Sequence, residues 1–195
     1  MLPVGPLMME HRLIEKLMPV IRAATAAARR EGRIDPRLVA FVVDFIRTYA
    51  DRCHHGKEED ILFRELDKKP LAPEHRAVMD ELVAEHREGR RMVGELRAAA
   101  AAYEGGDGGE LEAVVDRLEA LAAFYPAHIS KEDKVFFLPS MSYLSPEEQE
   151  AMLEEEREFD REFIHELYRE RMAEAVAEHG IVTGGEARIG ERGKT

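Results

Sequence analysis

The stretch His54-His55-Gly56-Lys57-Glu58-Glu59-Asp60-Ile61-Leu62-Phe63 returns later in the chain as His128-Ile129-Ser130-Lys131-Glu132-Asp133-Lys134-Val135-Phe136-Phe137. In each copy a histidine precedes a glutamate by four residues, a spacing that puts both side chains on one face of a helix. A second shared word lies upstream of each copy, Glu10-His11-Arg12 and Glu85-His86-Arg87. The offsets are 75 residues (85 minus 10) and 74 residues (128 minus 54). The sequence therefore predicts a helical hairpin that is used twice.

The composition supports a helical fold. Ala, Leu, Glu, Arg and Met are plentiful and Trp is absent, which is typical of helix-forming sequences. A length of 195 residues suits a single domain with a sizeable core. We therefore expect an all-α fold, an up-down-up-down four-helix bundle with an additional C-terminal helix.

Proline, glycine and capping residues divide the chain into five predicted helices. Their expected bounds are about Leu7–Arg30, Pro36–Leu66, Pro73–Tyr103, Glu110–Phe137 and Pro146 to near Gly180. Asp35 and Ser145 are the expected N-caps, Gly32 the expected end of the first helix, and residues 105–109 a loop. We expect one domain over 1–180, with the bundle core at 7–139, the extra helix at 146–179 and a flexible tail at 181–195.

The charge and the apolar pattern exclude several classes of partner. The formal net charge is −12 and basic residues are dispersed among acidic ones, so neither nucleic acid nor an anionic membrane is expected to bind. No apolar run is long enough to span a bilayer. Cys53 is the single cysteine, which rules out a disulfide within the chain. These features favour a cytoplasmic location.

Six side chains are predicted to face the core together. They are the two single histidines and the two His-x-x-x-Glu pairs of the repeat: His11, His54, Glu58, His86, His128 and Glu132. Burying two glutamates without a partner would cost a great deal of free energy, which a bound cation would offset. Mixed imidazole and carboxylate ligands suit iron best, with manganese or zinc also possible. The sequence thus predicts a site for two metal ions.

The four repeated words resemble those of hemerythrin-like (HHE) cation-binding domains. The resemblance covers roughly Leu7 to Pro139 and rests on Glu10-His11-Arg12-Leu13-Ile14-Glu15, His54-x-x-Lys57-Glu58-Glu59-x-x-Leu62-Phe63, Glu85-His86-Arg87-Glu88-Gly89-Arg90 and His128-Ile129-x-Lys131-Glu132-Asp133. It implies a four-helix bundle that holds two non-haem irons through histidines and two bridging carboxylates. The implied ligands are the same six residues.

The sequence departs from the pattern of the oxygen-carrying members of that family. Those members place two histidines four residues apart on the third helix, whereas Leu82 stands four residues before His86. One ligand is therefore missing or replaced. His55 is the best candidate for a seventh ligand, but Ile129 stands at the matching position of the second copy, which favours a rim position for His55. His165, Tyr49 and Tyr125 are further candidates near the centre.

Three functions remain open on the sequence. The first is a non-enzymatic di-iron protein that binds or senses oxygen or nitric oxide, or handles iron, with a partner protein if it is a sensor and a homodimer as a possible assembly. The second is a di-iron enzyme, an oxidase or a peroxide-decomposing protein, or a repair factor for damaged iron centres. The third is an ordinary bundle in which the histidines are buried polar residues without metal. The repeat favours the metal-binding interpretations.

Overall fold

The computed structural model describes residues 1–104, 109–160 and 164–178, and every long segment in these ranges is helical. The α-helices are α1 Val4–Glu31, α2 Pro36–Phe45, α3 Arg64–Asp67, α4 Pro73–Glu104, α5 Glu110–Lys131, α6 Phe137–Ser140, α7 Pro146–Phe159 and α8 Ile164–Glu178. Three π-helical segments interrupt them: the first at Ile46–His55, the second at Glu58–Phe63 and the third at Glu132–Phe136. A short 3-10 helix, Met141–Tyr143, follows α6.

The predicted caps account for several helix ends. Gly32 terminates α1 in the left-handed conformation (φ 69°), and its N–H donates to the carbonyl of Ala28. The Asp35 side chain accepts from the N–H of Arg37 at the start of α2. Ser145 and Glu148 form a reciprocal capping box at the start of α7. These sequence predictions are confirmed.

Two of the predicted helices differ from the structure. The fourth predicted helix continues through Pro139 to Ser140, because a proline near a helix end removes a single backbone bond. The predicted fifth helix is two helices, α7 and α8, and Asp160 caps the end of α7. Most of the predicted loop at 105–109 and the whole predicted tail at 181–195 lie outside the described residues.

Four long helical rods pack as a bundle. They are α1; α2 with the first two π segments and α3; α4; and α5 with the third π segment and α6. α4 and α1 both lie against α5, α2 packs on α4, and α8 covers part of α1. None of the described helices combines the length and the apolar character needed to cross a membrane.

The core consists of two apolar clusters with a polar layer between them. One cluster includes Ile14, Val93 and Tyr125, and the other includes Leu7, Leu82 and Phe136. Along α1, α4 and the rod that begins with α5, the predicted ligand lies between a member of one cluster and a member of the other. The bundle thus buries a layer of titratable side chains between the two apolar clusters.

Candidate metal centre

The six predicted residues come together in the polar layer, and all of them are buried. One group consists of His11, His54, Glu58 and Glu132, whose nitrogen and oxygen atoms lie within 4.8 Å of one another. A second group consists of His55, His86 and His128 under the same distance limit. The structure therefore adds His55 to the six residues selected by the repeat.

The two glutamates connect the two groups. Glu132 lies 3.1 Å from His11 Nε2 through one oxygen and 3.1 Å from His128 Nε2 through the other. Glu58 lies 3.2 Å from His86 Nε2 and 3.5 Å from His54 Nε2. Each glutamate therefore faces one histidine of each group, the position expected of a carboxylate that bridges two ions.

Seven buried side chains leave their inward atoms without a hydrogen-bond partner. The contacts of 3.1 to 3.5 Å lack hydrogen-bond geometry, so the Nε2 atoms of four histidines and all four glutamate oxygens remain unpaired. Both ring nitrogens of His55 are also unpaired. Buried polar atoms almost always find a partner, so a converging set of unpaired ones indicates a missing ligand. Imidazole and carboxylate donors fit a transition-metal cation.

An outer carboxylate orients each of the four repeated histidines through Nδ1. The pairs are His11 with Asp133 (2.7 Å), His54 with Glu10 (2.9 Å), His86 with Glu59 (2.6 Å) and His128 with Glu85 (2.8 Å). Because a carboxylate only accepts, Nδ1 must carry the hydrogen, and Nε2 is the atom left to face a metal. This is the usual support of a metal-binding histidine.

The outer carboxylates obey the same repeat as the inner residues. Glu10 corresponds to Glu85, and Glu59 corresponds to Asp133. The repeated words contain these four residues, but no role in the centre is predicted for them. The signal was present, since each acidic residue adjoins a predicted ligand in both copies of its word.

Two repeated lysines complete the duplicated network. Lys57 pairs with Glu10, and Lys131 pairs with Glu85. Lys57 is fully buried and also donates to Asp160 at 2.8 Å, whereas Lys131 lies nearer the surface and also contacts Glu81. The two halves therefore share a design, but Asp160, at the end of α7, contacts only the lysine of the first half.

The prediction of a rim position for His55 is wrong. The side chain is 1% exposed, and its ring stacks on that of His86 with centroids 3.9 Å apart. The matching Ile129 is also buried, so the repeat in fact indicated a core position. His55 ends the first π segment, a wider turn that changes which residues face inward and that is often found at functional sites.

Charges within the layer shift the pKa values of its members. Burial alone would lower the pKa of His11, but the carboxylates of Asp133 and Glu132 outweigh it and raise the pKa to about 10. The carboxylates around His86 likewise overcome burial and raise its pKa to about 11. Burial would raise the pKa of Glu132, but the neighbouring histidines hold it well below its usual range. A metal cation would replace the protons held at this centre.

The pKa of His55 shifts in the opposite direction to the pKa values of His11 and His86. Burial, and then the positive charge of His86, lower its pKa well below that of an ordinary histidine. The ring is therefore neutral and keeps a free lone pair, as a metal ligand requires.

The remaining candidate residues lie outside the two groups. His165 Nε2 contacts Glu10, the carboxylate that orients His54. The ring of Tyr125 lies 6.5 Å from that of His55, and Tyr49 packs against His165. The Cys53 thiol is buried, which raises its pKa to about 12 and agrees with a packing role.

Comparison with known proteins identifies this arrangement. The profile of the hemerythrin HHE cation binding domain matches residues 2–138. The chain belongs to the hemerythrin HHE cation-binding family. The sequence-based resemblance is thereby confirmed, and the match includes all seven residues of the centre. No curated protein and no solved structure matched the chain.

Within this hemerythrin-family chain, the described residues supply histidine and glutamate clusters that can hold a cation. Leu82, at the position where the oxygen-carrying members have a histidine, belongs to an apolar cluster. The group that contains His86 and His128 has His55 as its third histidine, and His55 lies on the neighbouring rod rather than on α4.

Proposed function

We propose that the centre holds two iron ions and that the protein binds or senses a small ligand through them. His11 and His54 would hold one ion, and His55, His86 and His128 the other. Glu58 and Glu132 would bridge the pair. Iron in such a site supplies reversible binding of small ligands and exchange of single electrons.

One observation carries this proposal. The inward atoms of seven buried side chains converge without partners, while outer carboxylates fix the orientation of four of the histidines. A bundle that merely tolerated buried histidines would not need four Nε2 atoms directed at two buried carboxylates whose oxygens make no hydrogen bond. Removing a charged group from water without a partner is costly, so the arrangement favours a bound cation.

The uneven division of histidines favours ligand binding. The ion held by His11 and His54 would have one protein ligand fewer than its neighbour. A position open to exchange is what distinguishes a reactive metal site from a closed structural one. We infer that a diatomic molecule such as oxygen or nitric oxide, or peroxide, is the kind of ligand that this ion takes.

Optical spectroscopy tests the proposal. Iron-loaded reduced protein is exposed to oxygen or to nitric oxide, and absorption is followed through cycles of addition and removal. A reversible change, lost in Glu132→Ala, supports a binding or sensing role. Sustained consumption of peroxide or oxygen would instead assign the enzymatic alternative. A well-folded protein that takes up no iron would contradict both.

A further inference from the structure

A cavity of about 190 Å³ leads from the surface to the His55 side of the centre. It lies between the first π segment and α4, and His55, Gly89 and Tyr125 are among its lining residues. His55 is buried and has no hydrogen-bond partner at either nitrogen. A larger cavity of about 310 Å³ beside Glu10 and His165 is lined by none of the seven residues of the centre. The smaller cavity therefore reaches the centre at His55.

Two glycines of α4, Gly89 and Gly94, line this cavity. A Cβ added at Gly94 would meet no atom within 4 Å. A Cβ at Gly89 would lie 3.5 Å from Phe124 and 3.8 Å from the hydroxyl oxygen of Tyr125. A side chain placed at Gly94 would therefore have free space to extend into the cavity.

The size of the cavity limits what can enter. At roughly 30 Å³ for each liquid water molecule, it has room for about six waters. Pockets for organic ligands usually begin near about 300 Å³. An inorganic ligand of two to four atoms fits, and the volume lies below the range that is usual for pockets enclosing a drug-sized organic ligand.

The charge at the mouth is positive although the protein is acidic. Three arginines line the cavity, Arg47, Arg90 and Arg97, against one aspartate, Asp51. Arg90 is already engaged by Asp51 at 2.7 Å and by Glu59 at 2.8 Å. Neither of the other two has an ion pair with a described residue, and both are exposed. A cleft lined by one sign of charge concentrates ions of the opposite sign.

We propose that this cavity admits small inorganic anions to the centre from the His55 side and that Arg47 and Arg97 attract them. The inference rests on the proposed metal centre and adds a route by which negatively charged ligands would reach it. The net charge of −12 would repel an anion from most of the surface. The two unpaired guanidinium groups provide a local exception at the opening.

Association kinetics of azide with the iron-loaded oxidised protein test the role of charge. Replacing both arginines, Arg47→Gln with Arg97→Gln, is expected to slow azide association about threefold at low salt, with less effect at high salt. Association of the neutral probe nitric oxide with the reduced protein should be unchanged. The control variant Arg30→Gln with Arg33→Gln removes the same charge from residues that do not line the cavity. Equal slowing of azide in both double variants would overturn the role of the two arginines.

A blocking variant tests the route itself. Gly94→Phe is expected to slow both azide and nitric oxide about tenfold, because its ring can occupy the cavity; Gly94→Leu provides a milder version should the larger ring disturb folding. Unchanged rates for both probes in both variants would overturn the route. Iron content is measured in every sample. A wild-type protein without iron would refute the metal centre, whereas iron-loaded variants with unaltered rates would refute only the anion route.

Discussion

At the residue scale, two histidines that are adjacent in the sequence both belong to the centre. His54 belongs to the group with both glutamates, and His55 belongs to the group of three histidines. On an ideal helix, adjacent side chains diverge by about 100°, so one member of such a pair would normally leave the core. Here both rings are buried, with centroids 5.6 Å apart. One short word of sequence thereby provides ligands for both proposed ions.

Replacing His55 should remove one ion selectively. His55→Ala takes away one of three histidines proposed for the second ion and leaves the other group intact. Iron content is expected to fall from two ions per chain to about one. His75→Ala is the matched control, since His75 contacts the Tyr143 hydroxyl and belongs to neither group of the centre. Two tightly held ions in His55→Ala would show that His55 is only a packing residue.

Removing an outer carboxylate should weaken the metal without removing a ligand. Asp133→Asn replaces the acceptor for Nδ1 of His11 by a weaker, neutral one. Supporting residues of this kind typically contribute about 10–100-fold in metal affinity. Competition with a coloured iron chelator measures the loss, and Glu88→Gln, which alters an exposed pair with Arg91, serves as the control. Equal affinity in both variants would argue against an orienting role for Asp133.

At the scale of elements, the repeat contained more residues of the centre than the six that were predicted. It located six converging residues because a duplicated hairpin places equivalent side chains at equivalent heights. It also contained the four outer carboxylates. The π segments could not be derived from it, since π turns have no simple composition signal and alter the 3.6-residue period on which facing arguments depend.

The first π segment marks the difference between the two halves. The second and third π segments, which begin at Glu58 and Glu132, match across the repeat offset of 74 residues. The first π segment, at Ile46–His55, has its counterpart within α5, which is α-helical. The extra histidine of the centre lies at the end of that unmatched segment. An asymmetric turn therefore accompanies the asymmetric ligand.

Helix α7 carries a buried carboxylate that should make stability depend on pH. Burial raises the pKa of Glu156 to about 8, and neither of its oxygens has a hydrogen-bond partner. The folded state then holds a proton that the unfolded state releases above its own pKa of 4.5. The contribution of Glu156 to stability is therefore greatest below about pH 4.5 and falls as the pH rises toward 8.

Glu156→Gln should remove this dependence. Its free energy of unfolding is expected to gain on that of the wild type by up to about 1.4 kcal/mol per pH unit between pH 5 and 8. Urea unfolding of both proteins at matched metal content and at several pH values provides the comparison. A constant difference across that range would mean that Glu156 titrates normally in the folded protein.

At the scale of the whole molecule, the bundle keeps charged groups in a buried layer between two apolar clusters. Packing alone does not explain this layer, because apolar residues of similar volume would avoid the cost of burying Glu58 and Glu132. A pair of cations would neutralise both glutamates and use the five histidines. The fold and the centre thus depend on each other, and ions that bind only the folded chain would stabilise it.

The number of ions taken up tests this account most directly. Metal-free protein is titrated anaerobically with ferrous iron, and binding is followed by calorimetry together with the iron content of the desalted product. The account predicts saturation at two ions per chain for the wild type, with loss of tight binding in Glu58→Ala with Glu132→Ala. Saturation at one ion, or no tight binding by a folded wild-type chain, would contradict a centre for two ions.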